Sequence, residues 1–190
     1  MWTGLLVGIL LVGLGYWYMQ PKTMSTPLPK LTQPRIVVEK AAGQLHIYDG
    51  AALIRSYACI AGRGQGNKTV EGDRRTPEGQ FQIVYKNPNS KFHLSLGLNY
   101  PNSADIQRGL AAGLITQAEY DRIARHLTSS DWSDPAVQKE VWYTALGGEI
   151  FIHGERNDRT GTLGCVAVDN HDIEEIFAAV PVGTPVEIKP

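Results

Sequence analysis

Two residues twelve positions apart, His153 and Cys165, have the types and spacing for covalent chemistry. His153 closes the run Gly148-Glu149-Ile150-Phe151-Ile152, which reads as a short strand. Cys165 follows a polar loop containing Gly154, Gly161 and Gly164. A loop of that size folds the chain back and sets an imidazole beside a thiol. A free thiol titrates near 8.5, so at neutral pH it is mostly protonated; a neighbouring imidazole raises the thiolate fraction. The thiolate attacks an acyl carbon, and the imidazole carries the proton to the leaving amine. Gly164 has no side chain, so the backbone there can approach a substrate carbonyl, and N–H groups around Gly164 and Cys165 form a natural oxyanion site. No Asp or Asn partner for His153 stands out in the sequence; a backbone carbonyl is the alternative that orients its ring. The bland alternative is coincidence of one His with one Cys. Zinc binding lacks a second Cys or His at ligand spacing, since His171 lies six positions past Cys165 in a predicted helix, so no metal is expected.

The loop between the two residues carries further candidates. Arg156 and Arg159 either hold a substrate carboxylate or are solvated loop charges. Thr162 either organises the turn or faces the substrate. The second cysteine, Cys59, sits in Ser56-Tyr57-Ala58-Cys59-Ile60-Ala61 and reads as a small core residue. Two cysteines in 190 residues do not make a disulfide scaffold.

These residues need elements to position them. Arg35-Ile36-Val37-Val38-Glu39 predicts a strand. Asp49-Gly50 predicts a hairpin between two further strands, the second continuing through Cys59 and Ile60. Phe81 to Tyr85 alternates as a strand does. Ser103 or Asp105 caps a helix ending near Ala112 with Gly113 as its stop. Thr116-Gln117-Ala118-Glu119 is a capping box for a helix to about Leu127, with Tyr120, Ile123 and Leu127 on one face. Asp169 or Asn170 caps a last helix, and Pro181 to Lys189 supplies the last strand. The class is therefore α+β with a mainly β core. The stretch from Pro88 to Leu146 reads as a helical insertion whose Trp132, Trp142 and Tyr143 either cover the site or pack on the sheet.

Residues 2–19 contain no charge, and aromatic residues cluster at both ends. Eighteen helical residues span roughly 27 Å, about the hydrocarbon thickness of a bilayer. The reading is a transmembrane anchor or uncleaved signal over 1–20, a Pro-rich linker over 21–34, and one domain over 35–190. Lys22, Lys30 and Arg35 follow the apolar segment and none precedes it, which by the positive-inside rule opposes an outward-facing domain. The resemblance set out next outweighs that rule and implies a domain in the cell envelope. A formal net charge of −1 gives no basis for a nucleic-acid partner.

His153-Gly154, a gap, then Thr162-Leu163-Gly164-Cys165 resembles the signature of the L,D-transpeptidase catalytic domain, the YkuD family. Gly72-Asp73-Arg74-Arg75-Thr76-Pro77-Glu78-Gly79 before Phe81 matches a second feature of that family. The resemblance covers about Arg35 to Ile188. It implies a β-rich fold, a thioacyl-enzyme on Cys165, no cofactor, and peptidoglycan stem tetrapeptides as donors. The thiol attacks the bond between diaminopimelate and the terminal D-Ala. Many members have His where Leu163 stands and Arg where Ala167 stands; with Tyr100-Pro101-Asn102 upstream, the chain is similar to a divergent, YafK-like branch. There the acyl group passes to an amine or to water, as in a carboxypeptidase or amidase. A silent peptidoglycan-binding module is the alternative from another class. The oligomeric state is left open.

Overall fold

The computed structural model describes residues 27–128 and 131–190. The predicted membrane segment lies outside the described residues; among the described residues no helix is long and apolar enough to cross a membrane. The predicted linker ends earlier than its prolines suggest. Leu31 already packs on the core, and the backbone N–H groups of Thr32 and Gln33 both donate to the Asp49 carboxylate, at 2.9 Å and 2.5 Å.

Eight strands form one sheet in the order β3-β2-β1-β8-β4-β5-β6-β7. Strand β1 (Pro34–Glu39) pairs antiparallel with β2 (Gln44–Asp49), which turns at Gly50 (φ +58°) into β3 (Ala52–Ala58). The hairpin is where Asp49-Gly50 predicts it, but β3 stops short of Cys59 and Ile60. Cys59 is buried, its N–H bonding to Gly43 O, and Ile60 forms an isolated bridge with Ala167. On the other side of β1 lies β8 (Pro185–Lys189), parallel to it and antiparallel to β4 (Gly79–Ser90).

The part of the sheet that matters for function runs through β4, β5 (His93–Leu98), β6 (Phe151–His153) and the two-residue β7 (Val166–Ala167). Side chains alternate across a strand, so each strand here serves two faces. Leu96, Leu98, Ile152 and Val166 enter the main core, where Ile173 and Ile176 of α4 (Asn170–Ala179) also lie. Their neighbours Ser95, Gly97, Phe151, His153 and Ala167 face the other way. Phe81 and Ile83 of β4 join the core, then a register shift between Ile83 and Tyr85 turns Tyr85 and Asn87 to that second face.

The predicted helical insertion from Pro88 is strand first. It holds the end of β4 and all of β5, then α1 (Ser103–Ala111), α2 (Gln117–His126) and α3 (Pro135–Trp142). The capping box of α2 is as predicted. Helix α1 is capped by Asn102, not by Ser103 or Asp105: its side chain accepts from Ala104 N and Asp105 N, and Asp105 returns the bond to Asn102 N. The three helices enclose a second core of Ile106, Ile115, Ile123, Trp132, Val141, Trp142 and Leu146, with Tyr120 and Leu127 packed against it. Trp132 and Trp142 thus pack in this core, Trp142 also bordering the cavity described below, while Tyr143 is exposed.

Candidate active site

The second face of β4–β7 is the floor of a cavity of about 960 Å³. Its rows follow from the strand register. Asn87, Ser95 and His153 are successive partners across the sheet, as are Tyr85, Gly97 and Phe151. Gly97 keeps the second row low, since a Cβ there would press on the Phe151 ring at 3.1 Å. Trp142 and Gln138 of α3 line the cavity, as do Lys91 and Phe92 of the β4–β5 turn and residues 160–163 of the catalytic loop.

His153 and Cys165 both line this cavity. His153 pairs with Ala167 across the parallel β6–β7 ladder, and Cys165 immediately precedes β7. Nδ1 of His153 donates to the Gly154 carbonyl, because a carbonyl only accepts. That bond fixes the tautomer and leaves a lone pair on Nε2. Phe92 stacks on the ring, centroids 4.5 Å apart. Burial holds the imidazole below its ordinary value, partly countered by the Gly154 bond and the Glu155 charge, so the ring is neutral at neutral pH.

The thiol is half-buried and free. Its Sγ donates to Glu149 O at 3.4 Å. Burial pushes it up to about 11, against a backbone hydrogen bond from Phe151. Burial thus favours the uncharged form of both groups. Cys59 is buried more deeply and pushed up to about 12.

The turn before Cys165 is built tightly. Thr162 Oγ1 donates to Cys165 O at 2.6 Å and accepts from Gly164 N at 3.1 Å. Thr76 of the upstream motif is buried; its Oγ1 accepts from Gly62 N and donates to the same Cys165 carbonyl at 3.4 Å. Gly164 sits at φ +143°, a region that only glycine adopts readily, and a Cβ there would also stand 3.0 Å from Arg75 O. Gly154 is a glycine for another reason: a Cβ would meet Asn170 Oδ1 at 2.6 Å. That oxygen accepts from Glu155 N, and Asn170 Nδ2 donates to Glu155 Oε1. Asn170 makes no cap; it pins the residue after Gly154. Asp169 is the N-cap, without a side-chain cap bond.

The predicted substrate residues divide. Thr162 lines the cavity but its hydroxyl is used within the turn. Arg156 and Arg159 do not line it. Arg156 Nε is 3.2 Å from Asp158 and 3.3 Å from Asp169, so it braces the loop. Lys91 is the cation among the described lining residues, its ammonium 5.1 Å from the Phe92 ring centroid. Sequence reasoning missed Glu149, Phe92 and Lys91. Glu149, at φ +53°, contributes a backbone atom that no side-chain pattern marks.

A fold of this topology, carrying a thiol and an oriented imidazole on one sheet face, is matched by the sequence model of the YkuD family, the L,D-transpeptidase catalytic domain, over residues 33–188. The chain belongs to that family. No curated protein sequence matches the chain. Among solved structures it resembles the helical cell shape determining protein Pgp2 from Campylobacter jejuni, at 21% identity and a TM-score of 0.55, over 92% of this chain and 54% of that one. It also resembles Bd1075 from Bdellovibrio bacteriovorus, at 20% identity and a TM-score of 0.50, over 86% and 52%. At such identities the likeness is one of fold. The chain spans about half the length of these structures.

Proposed function

We propose that this chain catalyses cysteine-dependent acyl transfer on peptidoglycan stem peptides. The observation that carries the reading is the His153 ring, fixed with Nε2 free on the sheet face that also bears Cys165. Family membership supplies the substrate class. As Sγ attacks the carbonyl carbon of the diaminopimelate–D-Ala bond, its proton passes to His153 Nε2. The Gly164 N–H is engaged by Thr162, so Cys165 N–H is the candidate donor to the oxyanion. Collapse breaks the C–N bond, His153 returns the proton to the departing D-Ala amine, and a thioester remains on Cys165. The incoming amine or water gives its proton to His153, attacks the thioester and regenerates the thiol.

Lys91 replaces Arg156 and Arg159 as the group that meets a stem-peptide carboxylate. The chain acts in the cell envelope, outside the cytoplasmic membrane; protease accessibility in spheroplasts tests that placement. The activity itself is tested by mass spectrometry of the protein with disaccharide-tetrapeptide, beside Cys165→Ala. A cross-linked dimer made only by the unmodified protein supports transfer to an amine. A peptide shortened by D-Ala, again Cys165-dependent, makes water the acceptor. No product, and no adduct with a carbapenem, makes a silent binding module the better reading.

A further inference from the structure

Lys68 is a buried charge with no part in the reaction above. Its side chain is 3% exposed, and Nζ donates to Val70 O at 3.0 Å and to Asp73 Oδ1 at 3.2 Å. Burying an ammonium is costly unless it is paired and fully bonded, so its place here asks for a reason. Asp73 is as heavily used. It accepts from Thr69 N, Val70 N and Arg75 N besides Lys68, and those backbone bonds outweigh burial to keep its carboxyl low.

The loop they organise touches both backbone segments that grip Cys165. On one side it meets residues 145–149. Glu71 N donates to Ala145 O at 2.8 Å, and Tyr100, whose ring centroid is 5.9 Å from the Lys68 ammonium, donates its hydroxyl to Leu146 O. A Cβ on Gly147 would stand 3.2 Å from Lys68 Cε. This segment takes positive φ at Gly147 and at Glu149, and it presents the Glu149 carbonyl to Sγ. On the other side, Arg75, whose N–H Asp73 holds, sets its carbonyl against Gly164, and Thr76 bonds Cys165 O.

We infer that the Lys68–Asp73 pair is a positioning device for the nucleophile, holding the Glu149 carbonyl and the Cys165 turn in register. Of the charges near the thiol, Glu149 opposes ionisation and Lys68 and Lys91 favour it, while His153 is a titratable group that shares its cavity. Around Lys68 stand Asp73 and Glu71, with Arg108 bonded to its carbonyl and Asp105 paired to Arg108. The inference rests on Cys165 being the nucleophile, but its test needs no cell-wall substrate.

The test is the pH dependence of alkylation of Cys165 by iodoacetamide in the full chain, followed by peptide mass. Lys68→Met slows the reaction at pH 8 by about fivefold to tenfold, displacing the profile upward by up to about one pH unit with the same alkaline plateau. Asp73→Asn removes the negative partner and leaves the ammonium, so it moves the profile the other way. Loosening of the loop would not give opposite signs. Two profiles matching the unmodified protein, or both displaced in one direction, overturn the inference. If Lys68→Met does not fold, the sign for Asp73→Asn decides alone. Opposite shifts in a protein that never turns over tetrapeptide would sink the acyl-transfer reading and leave the role of the pair standing.

Discussion

Thr162→Val tests how the nucleophile turn is held. Valine keeps the shape and removes one oxygen, and with it two hydrogen bonds: 2.6 Å to Cys165 O and 3.1 Å from Gly164 N. The two losses differ. Cys165 O keeps the Thr76 hydroxyl as a second donor. Gly164 is buried, so its N–H is left without a partner, and an orphaned buried donor costs about 1–3 kcal/mol. A loss of about 2 kcal/mol lowers the Tm of a domain this size by roughly 4–8 °C. The freed N–H also competes for the oxyanion position from a backbone no longer fixed. A misplacement near 1 Å costs about a hundredfold in rate, so acylation should slow by about tenfold to a hundredfold. Thr162→Ser keeps the oxygen and should restore most of both. The assays are calorimetry and the rate of carbapenem adduct formation by mass. Unchanged Tm and rate in Thr162→Val, or a serine variant as damaged as the valine, would refute the reasoning.

Acyl transfer needs a neutral imidazole, and burial lowers His153 from its ordinary value of 6.5, so activity falls only as pH drops below that value. Since the thiol sits up at about 11, alkylation of Cys165 keeps rising well past pH 9, whereas a preformed ion pair would level off near neutrality; stopped alkylation against pH distinguishes them. Lys91→Met raises KM for tetrapeptide by about tenfold, with Arg156→Ala and Arg159→Ala leaving KM unchanged; steady-state kinetics reads all three. Ile123→Ala hollows the second core and costs about 2–5 kcal/mol in denaturant unfolding, while the acylation rate of the folded fraction stays near that of the unmodified protein.

Local signals in this sequence proved readable and long-range ones did not. Asp49-Gly50 and Thr116-x-x-Glu119 work through bonds between residues a few positions apart, and both stand where their chemistry requires. Helix α3 is only eight residues long, too short for a hydrophobic period to stand out, though Asp134-Pro135 is a legible start: Asp134 accepts from Ala136 N with Pro135 in the first turn. Strand β5 hid because its outward residues are Ser95 and Gly97, so alternation was hard to see. Within the site, His153, Gly154, Gly164 and Cys165 are legible as a pattern. The Thr76 contact with Cys165 spans 89 positions, and the Phe92 stack depends on β5 lying beside β6; neither has a local signature. Arg156 and Arg159 look like substrate groups because a loop sequence does not reveal that Asp158 and Asp169 take up Arg156.

The placement of β8 has a consequence for how the molecule is made. It lies between β1 and β4, so this strand is the seam joining β3-β2-β1 to β4-β5-β6-β7. By strand ladder the nucleophile-bearing half joins the first hairpin only through residues 185–189; outside the ladder, Ile60 bridges Ala167, and Arg55 and Tyr57 bond Glu175. Folding dominated by such distant pairings is slow. The reactive thiol thus sits in a half-sheet whose ladder to the first hairpin depends on one five-residue strand.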